Sequence, residues 1–310
     1  MSKRSLLLII FVLLITNVFS LIYFNNKDDA QQNEINDISG DLPDKTITSS
    51  DDYVASLRDE HITYKDWIQS LRETYGKEHL QKMILEKIVN KLAEERNLTV
   101  NEKVIEREIA FLTTMSGVMN DDQLAKQKET WQEELRFQFL LEQLLTEDIE
   151  IPESEARAYY ETYKNHYDFS ASFQISHIVV PNMSTAEKVI NELEQGAVFS
   201  LLAQEYSIDE ETKHLGGYLG YYTHGSQLIP YGYSNIISNM EEQTYSDPVN
   251  MGDRVVIIYL HRDLPEIEFT YDEIKDYVIR ELALKQVDQQ EKIKELLELE
   301  NIEWIYNDEI

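Results

Sequence analysis

SFQISHIVVP (172–181) opens the stretch that decides the fold, which runs from Ser172 to Arg262. Alternating side chains over this run predict a β-strand in which a histidine lies on a buried face. One face is expected to carry Phe173, Ile175, His177 and Val179, and the other Gln174, Ser176 and Ile178. A histidine inside an otherwise apolar strand is either a core residue with its hydrogen bonds satisfied or a catalytic residue.

The residues that follow predict helices and further strands. In STAEKVINELEQG (184–196), Ser184 and Glu187 have the spacing of a capping box, and Gly196 stands where a helix would end. A short helix is predicted for VFSLLAQEYS (198–207), and strands are predicted for GGYLGYY (216–222) and RVVIIYLHR (254–262). The stretch therefore predicts a mixture of strands and helices, an α+β fold.

Four motifs in this order resemble the parvulin family of peptidyl-prolyl cis–trans isomerases. They are SHIVV (176–180), EQGAVFSLLAQEYSID (194–209), GGYLGYY (216–222) and SDPV (246–249). The resemblance implies a small antiparallel sheet with surrounding helices. It also implies a rotamase that acts on X-Pro bonds and that uses no cofactor.

The resemblance also implies catalytic residues. His177 matches the first of the two strand histidines of parvulins, and Asp209 matches their Cys or Asp position. Where the family usually reads G-Y-H-I-I, this chain reads RVVII (254–258), so Val256 stands at the second histidine. His177 is thus expected to lose a partner that fixes its orientation and tautomer. The alternative interpretations are a core histidine for His177 and a solvated loop carboxylate for Asp209.

A pocket for the proline ring is implied in the same way. Leu219 and Tyr222 match the wall that parvulins build from an LGxF motif. Leu228 stands near the family's pocket methionine, and Tyr233 stands near its pocket phenylalanine. These four residues are the predicted substrate-binding residues.

The flanks of this stretch predict a helical domain. Thr63 and Asp66 mark a helix start, Gly76 is expected to end that helix, and a second helix is expected from about Lys77 to Arg96. Further helices are expected at Val104–Leu112 and around Trp131–Leu140. The sequence from His61 to Ile109 resembles the N-terminal helical domain of PrsA- and SurA-like foldases.

After the predicted isomerase domain, the chain is expected to return to the helical domain. Thr270 and Glu273 form a capping box that opens one long helix through about Leu299. In the family that the chain resembles, this helix packs on the helical domain, so the isomerase domain is inserted into it. The segment NIEWIY (301–306) near the C-terminus is compatible with either a short strand or a hydrophobic segment that clips the tail to the domain.

The N-terminus predicts a membrane anchor. Lys3 and Arg4 precede the uncharged, mostly apolar run from Ser5 to Phe24, which is long enough for one crossing as a helix. The positive-inside rule leaves the N-terminus in the cytoplasm and the bulk of the chain on the extracytoplasmic side. A cleaved signal peptide is the alternative. The predicted domains are an anchor (1–27), a disordered linker (28–52), a helical chaperone domain (53–171), a parvulin-like domain (172–264) and a C-terminal helix (265–310).

Composition excludes several classes of function. Twenty-eight basic residues stand against 58 acidic ones, a formal charge of -30, which argues against nucleic acid as a partner. The chain has no cysteine, which excludes disulfides, thiolate zinc sites and lipid attachment through cysteine. His214 and His224 have no third residue at metal-site spacing, so no metal is expected.

Three functional hypotheses remain open. The first is a membrane-anchored, extracytoplasmic isomerase and chaperone for unfolded or newly secreted polypeptides that contain X-Pro bonds. The second keeps this architecture without catalysis, as a holdase that binds unfolded polypeptide. The third is a scaffolding membrane protein that reuses the fold for a fixed partner.

Overall fold

The computed structural model describes residues 49–58, 60–299 and 302. The predicted anchor (1–27), nearly all of the predicted linker (28–52) and, apart from Ile302, the NIEWIY segment (301–306) lie outside these residues. Among the residues that are described, no helix combines the length and the apolar character needed to cross a membrane. The chain divides into two compact units, 1–79 and 80–310.

The first unit contains an antiparallel hairpin of β1 (Tyr53–Leu57) and β2 (Glu60–Thr63), followed by the start of helix α1 (Tyr64–Glu95). The predicted start of this helix is confirmed, since the Thr63 hydroxyl donates to Asp66 over 2.7 Å and accepts from the Asp66 amide over 3.1 Å. The predicted stop at Gly76 is wrong, and the two expected helices are one. An interior glycine costs a helix only about 1 kcal/mol, and it ends one only where it turns left-handed.

The helices of the second unit form two apolar clusters. Helix α1 ends at Glu95, two residues before Asn97, which has a φ of 52°. Helices α2 (Glu102–Met115), α3 (Asp121–Thr146) and α4 (Glu153–Tyr163) follow. The first cluster joins α2, α3 and α4 to the C-terminal region, and the second joins the end of α1 to α3 and to the last helix.

The C-terminal helix is broken, which corrects the prediction of one long helix. Helix α8 (Tyr271–Leu284) opens with the predicted capping box of Thr270 and Glu273. A second helix, α9 (Gln289–Glu298), starts at Asp288, whose carboxylate accepts the amides of Gln290 and Glu291. The helix breaks here because an aspartate side chain can accept hydrogen bonds from the free amides of a new helix start, whereas an aspartate inside a helix is unfavourable. The domain boundaries predicted above stay predictions.

A five-stranded antiparallel sheet lies between these helices in the sequence. Its strands are β3 (Ser172–Val180), β4 (Tyr218–Thr223), β5 (Thr244–Tyr245), β6 (Val249–Asn250) and β7 (Val255–Leu264). The order is β4-β3-β7-β5, and β6 also pairs with β7. The predicted mixture of helices with an antiparallel sheet is therefore confirmed.

The two faces of β3 pack on different elements, as the alternation predicts. Ile178 and Val180 pack with α5 (Met183–Glu194) and α6 (Phe199–Tyr206), whereas Phe173, Ile175 and Val179 pack with the short helix α7 (Tyr233–Ile237). The predicted cap at Ser184 is wrong. The N-cap of α5 is Asn182, because its side chain accepts the Thr185 amide over 3.0 Å.

Candidate functional site

His177 lies in the middle of β3, which pairs with β4 on one side and with β7 on the other, and it is only 6% exposed. Both ring nitrogens have partners. Nδ1 lies 2.6 Å from the Tyr233 hydroxyl, and Nε2 lies 2.9 Å from Asp209 Oδ2 and 3.0 Å from Thr212 Oγ1. The structure thus brings three of the predicted site residues, His177, Asp209 and Tyr233, into one hydrogen-bonded network with Thr212.

The backbone of His177 is fixed by Gly217. The His177 amide donates to the Gly217 carbonyl over 2.8 Å, and a Cβ at position 217 would lie 2.0 Å from the His177 carbonyl oxygen. Gly217 also has a φ of 77°, a left-handed conformation that favours glycine. The second glycine of the GGYLGYY motif is therefore explained by close approach to the histidine strand.

Asp209 is held by the loop that follows α6. The Ile208 amide donates to the Val179 carbonyl over 2.7 Å, which ties the loop to β3 two residues beyond the histidine. The Thr212 hydroxyl donates to the Asp209 carboxylate, and the Asp209 carbonyl accepts the Lys213 amide over 3.0 Å. The Asp209 side chain keeps 23% of its surface exposed, so the network reaches solvent at this carboxylate.

The protonation state of the network follows from burial and hydrogen bonding. Burial lowers the pKa of His177, and the neighbouring Asp209 opposes that effect only in part. Burial raises the pKa of Asp209, but hydrogen bonds from Thr212 and His177 outweigh it, and the resulting pKa lies below the usual value. An ionised Asp209 only accepts hydrogen bonds, so Nε2 of a neutral His177 carries the proton and Nδ1 accepts from the Tyr233 hydroxyl. Burial raises the pKa of that hydroxyl, which keeps it a donor.

Val256 lies on the same face of the sheet as the network. It pairs with Val179 across β3 and β7, and His177 pairs with Ile258. Val256 cannot hydrogen-bond to His177, so no histidine partner is present at this position, and the Tyr233 hydroxyl fixes Nδ1 instead. The position of the second histidine is filled by an apolar side chain, and the hydrogen bond comes from α7 instead of from β7.

An apolar surface adjoins the network. Its buried members are Phe173, Ile175, Val179, Tyr233, Ile237, Val256, Ile258 and Leu260. Leu219 and Tyr222 are partly buried against this cluster. Leu228, by contrast, is 84% exposed, while its neighbour Ile229 packs against the cluster. Of the predicted substrate-binding residues, the structure brings Leu219, Tyr222 and Tyr233 together and leaves Leu228 outside.

Sequence reasoning missed Thr212 and Ile229 and gave Tyr233 only an apolar role. The spacing D-x-x-T from Asp209 to Thr212 is a usable signal, because a hydroxyl three residues after a carboxylate can reach it in a turn. No comparable signal points to the hydroxyl of Tyr233, which is 56 residues from His177.

Comparison with known proteins places these residues in a family. A sequence profile described as the PPIC-type PPIASE domain matches residues 151–276. The chain is 31% identical over 262 residues to "Putative peptidyl-prolyl cis-trans isomerase YacD" of Bacillus subtilis, covering 84% of this chain and 88% of that protein. It is 29% identical to "Foldase protein PrsA" of Oceanobacillus iheyensis, over 84% of this chain and 86% of that one. A crystal structure of PrsA from Bacillus subtilis aligns with a TM-score of 0.33 at 23% identity, over 84% of this chain and 96% of that one.

Proposed function

The chain belongs to the parvulin, or PpiC-type, family of peptidyl-prolyl cis–trans isomerases, and from this we propose that it is a membrane-anchored, extracytoplasmic folding factor for newly translocated polypeptides. As a parvulin-type isomerase it acts on X-Pro bonds, and its foldase relatives support a role in protein folding. The observation that carries the proposal is the network of His177, Asp209, Thr212 and Tyr233 beside an apolar surface.

The reaction needs no covalent step. Rotation about a peptide bond meets a barrier of about 20 kcal/mol because resonance gives the C–N bond double-bond character. Twisting the bond removes this resonance, and with it the additional negative charge that resonance places on oxygen and the positive charge that it places on nitrogen. A site accelerates the rotation if it disfavours the planar amide more than the twisted one.

The candidate site combines two features that do this. An apolar wall that includes Leu219, Tyr222 and Ile229 suits the proline ring and stabilises a charge-separated amide less than water does. The ionised carboxylate of Asp209, placed beside the substrate carbonyl, repels the partial negative charge that the planar form carries. His177, Thr212 and Tyr233 then act by holding this carboxylate in one place and one charge state.

The test is the isomerisation rate of X-Pro tetrapeptides with purified full-length protein. Asp209→Asn removes the charge and keeps the size of the side chain, and we expect it to lower kcat/KM about tenfold or more, a loss of about 1.4 kcal/mol of transition-state stabilisation. Glu210→Gln is the matched control, because Glu210 is the next residue and its side chain is 74% exposed. Equal rates for the two variants, both folded, would contradict the role of Asp209.

Membrane anchoring rests on the sequence from Met1 to Phe24. A basic start, a 20-residue apolar run and an acidic body favour a retained crossing with the bulk outside. Resistance of the full chain to alkaline extraction from membranes, together with protease sensitivity of the body in cells with an intact membrane, is the expected result. Release of a chain shortened at its N-terminus would favour the cleaved signal peptide.

One observation favours the non-catalytic holdase as the alternative. Val256 gives the site no second histidine, so His177 depends on a hydroxyl for its orientation. If no X-Pro peptide is isomerised faster, while the folded protein still suppresses aggregation of an unfolded client, the holdase hypothesis replaces the proposal.

A further inference from the structure

Strand β4 lies at an edge of the sheet. Within the described residues it pairs with β3 alone, from Ser172↔Thr223 to Ser176↔Tyr218. An edge strand directs alternate backbone N–H and C=O groups away from its sheet. These groups form a template that another extended backbone can pair with.

A cleft of about 660 Å³ lies beside this strand. Tyr221, Tyr222 and Thr223 all line it. Successive side chains of a strand point to opposite faces, and Ser172, the partner of Thr223 on β3, lines the cleft too, so the cleft lies around the end of β4. Its volume is within the range of about 300–1,000 Å³ that is usual for ligand sites.

The opposite wall of the cleft combines the aromatic rings of Phe111 and Phe169 with polar side chains. Phe111 of α2 contributes to it and contacts Phe169 edge to face, with ring centroids 5.1 Å apart. Thr114, one helical turn further along α2, lines the same wall and is half-buried. The carboxylate of Asp168, which also lines the cleft, accepts the Phe269 amide over 2.8 Å. Aromatic walls beside free backbone groups suit an extended segment with apolar side chains.

The cleft and the candidate isomerase site share Tyr222. Tyr222 lines the cleft and is also packed against the apolar cluster that contains Tyr233 and Val256. Its ring stacks on Phe173, with centroids 6.3 Å apart. A polypeptide that leaves the site past Tyr222 would therefore reach the cleft at the end of β4.

We propose that the free edge of β4 and this cleft bind an extended segment of the client polypeptide next to the X-Pro bond, by strand pairing with β4. The inference rests on the proposed isomerase function, because it names where the same substrate continues. Six residues of β4 leave room for a segment of about six residues, so a short peptide that fills only the isomerase site gains nothing from it.

The first experiment compares a tetrapeptide with an Ala-Pro bond to peptides that extend it by six residues on one side or the other. The extensions alternate Phe and Ser, so that the apolar side chains fix the register of pairing. One of the two extended peptides is expected to bind at least tenfold more tightly than the tetrapeptide, by fluorescence anisotropy. Equal affinity for all three peptides would overturn the proposal.

N-methylation then distinguishes strand pairing from apolar contact alone. An edge strand uses every second N–H group of its partner, so methylating the extension at odd positions and at even positions gives two isomers of the same composition. We expect one isomer to lose the tenfold advantage and the other to keep it. Equal affinities for the two isomers would refute pairing along β4.

Thr114→Arg is the variant that fills the cleft. It is expected to abolish the advantage of the extended peptide and to leave tetrapeptide isomerisation unchanged, because Thr114 does not contact the network. Thr130→Arg adds the same charge on the exposed side of α3 and is the matched control. An extended peptide that binds Thr114→Arg as tightly as Thr130→Arg would contradict the assignment of the cleft.

The two proposals fail in different ways. Loss of isomerisation with retained selective binding of the extended peptide would remove the proposed catalysis and keep the cleft. Isomerisation of the tetrapeptide without any advantage of the longer peptides would remove the cleft and keep the catalysis. A dimer that Thr114→Arg dissociates, with no peptide bound, would show that the edge pairs with a second copy instead.

Discussion

Removing the hydroxyl of Tyr233 tests whether α7 supplies the second partner of His177. Tyr233→Phe keeps the buried ring, which is 3% exposed, and deletes the donor that lies 2.6 Å from Nδ1. Nδ1 is then left as a buried acceptor, because His177 is itself only 6% exposed. A buried polar atom without a partner costs about 1–3 kcal/mol, so we expect that loss in the free energy of unfolding.

Isomerisation should fall as well, because the ring of His177 is then held on one side only. The assays are urea unfolding and tetrapeptide isomerisation at pH 7.5, with the ¹⁵N chemical shifts of His177 as a third readout. In the unmodified protein the shifts should report a proton on Nε2, and in Tyr233→Phe they should show a change at Nδ1 that follows the lost donor.

Tyr231→Phe is the matched control, because Tyr231 is 97% exposed and lies two residues away. Its effect on stability should stay within about 0.5 kcal/mol. If Tyr233→Phe is as stable and as active as this control, the hydroxyl does not hold the histidine, and the account of the network is wrong. If the ¹⁵N shifts of His177 change in Tyr233→Phe but the isomerisation rate does not, Tyr233 has a structural role only.

The remaining predictions concern the contact between Gly217 and β3, the half-buried His261 of β7 and the apolar wall. Gly217→Ala should destabilise the protein by at least about 2 kcal/mol more than Gly220→Ala, measured by urea unfolding, because both positions have a positive φ but only a Cβ at 217 meets a backbone oxygen. Burial lowers the pKa of His261 to about 4, so the unfolded chain takes up a proton below about pH 6.5 and the folded protein does not. Stability should therefore fall by about 2 kcal/mol between pH 7 and pH 5, and His261→Gln should remove that part of the pH dependence; parallel pH profiles for the two proteins would contradict it. Ile229→Ser should weaken binding of X-Pro peptides in the tetrapeptide assay, whereas Leu228→Ser should leave it unchanged, and the reverse order would restore the sequence-based assignment.

The features of the fold that the sequence predicts are those with local causes. The alternation around His177 fixes which side chains share a face, and Thr270 with Glu273 fixes a helix start, because both signals act over a few residues. The predictions that were wrong required a choice between two local signals. Gly76 is compatible with a helix interior as well as with an end, and Asn182 competes with Ser184 for the same cap.

The site residues that the sequence predicts also have local causes, and those that it misses depend on distant segments. Asp209 was identified by its place in a motif, and it lies beside His177 because the loop after α6 is tied to β3 by the Ile208 amide. The partner at Nδ1 was not predictable, because it depends on how the segment between β4 and α7 brings Tyr233 over the sheet. Leu228 and Ile229 differ by one residue in that same segment, and one residue decides which of them contacts the cluster.

The exchange of a histidine for a tyrosine hydroxyl changes what the network can do. Two histidines that share a hydrogen bond can each carry a proton, so the charge of such a pair varies near neutral pH. Here burial raises the pKa of Tyr233 and lowers that of His177, so burial favours the neutral form of both groups. The only charge in the network is that of Asp209, which is ionised because its hydrogen bonds from Thr212 and His177 outweigh its burial. Val256 is compatible with this arrangement, because a network that has to hold one carboxylate needs a donor at Nδ1 and not a second titratable ring.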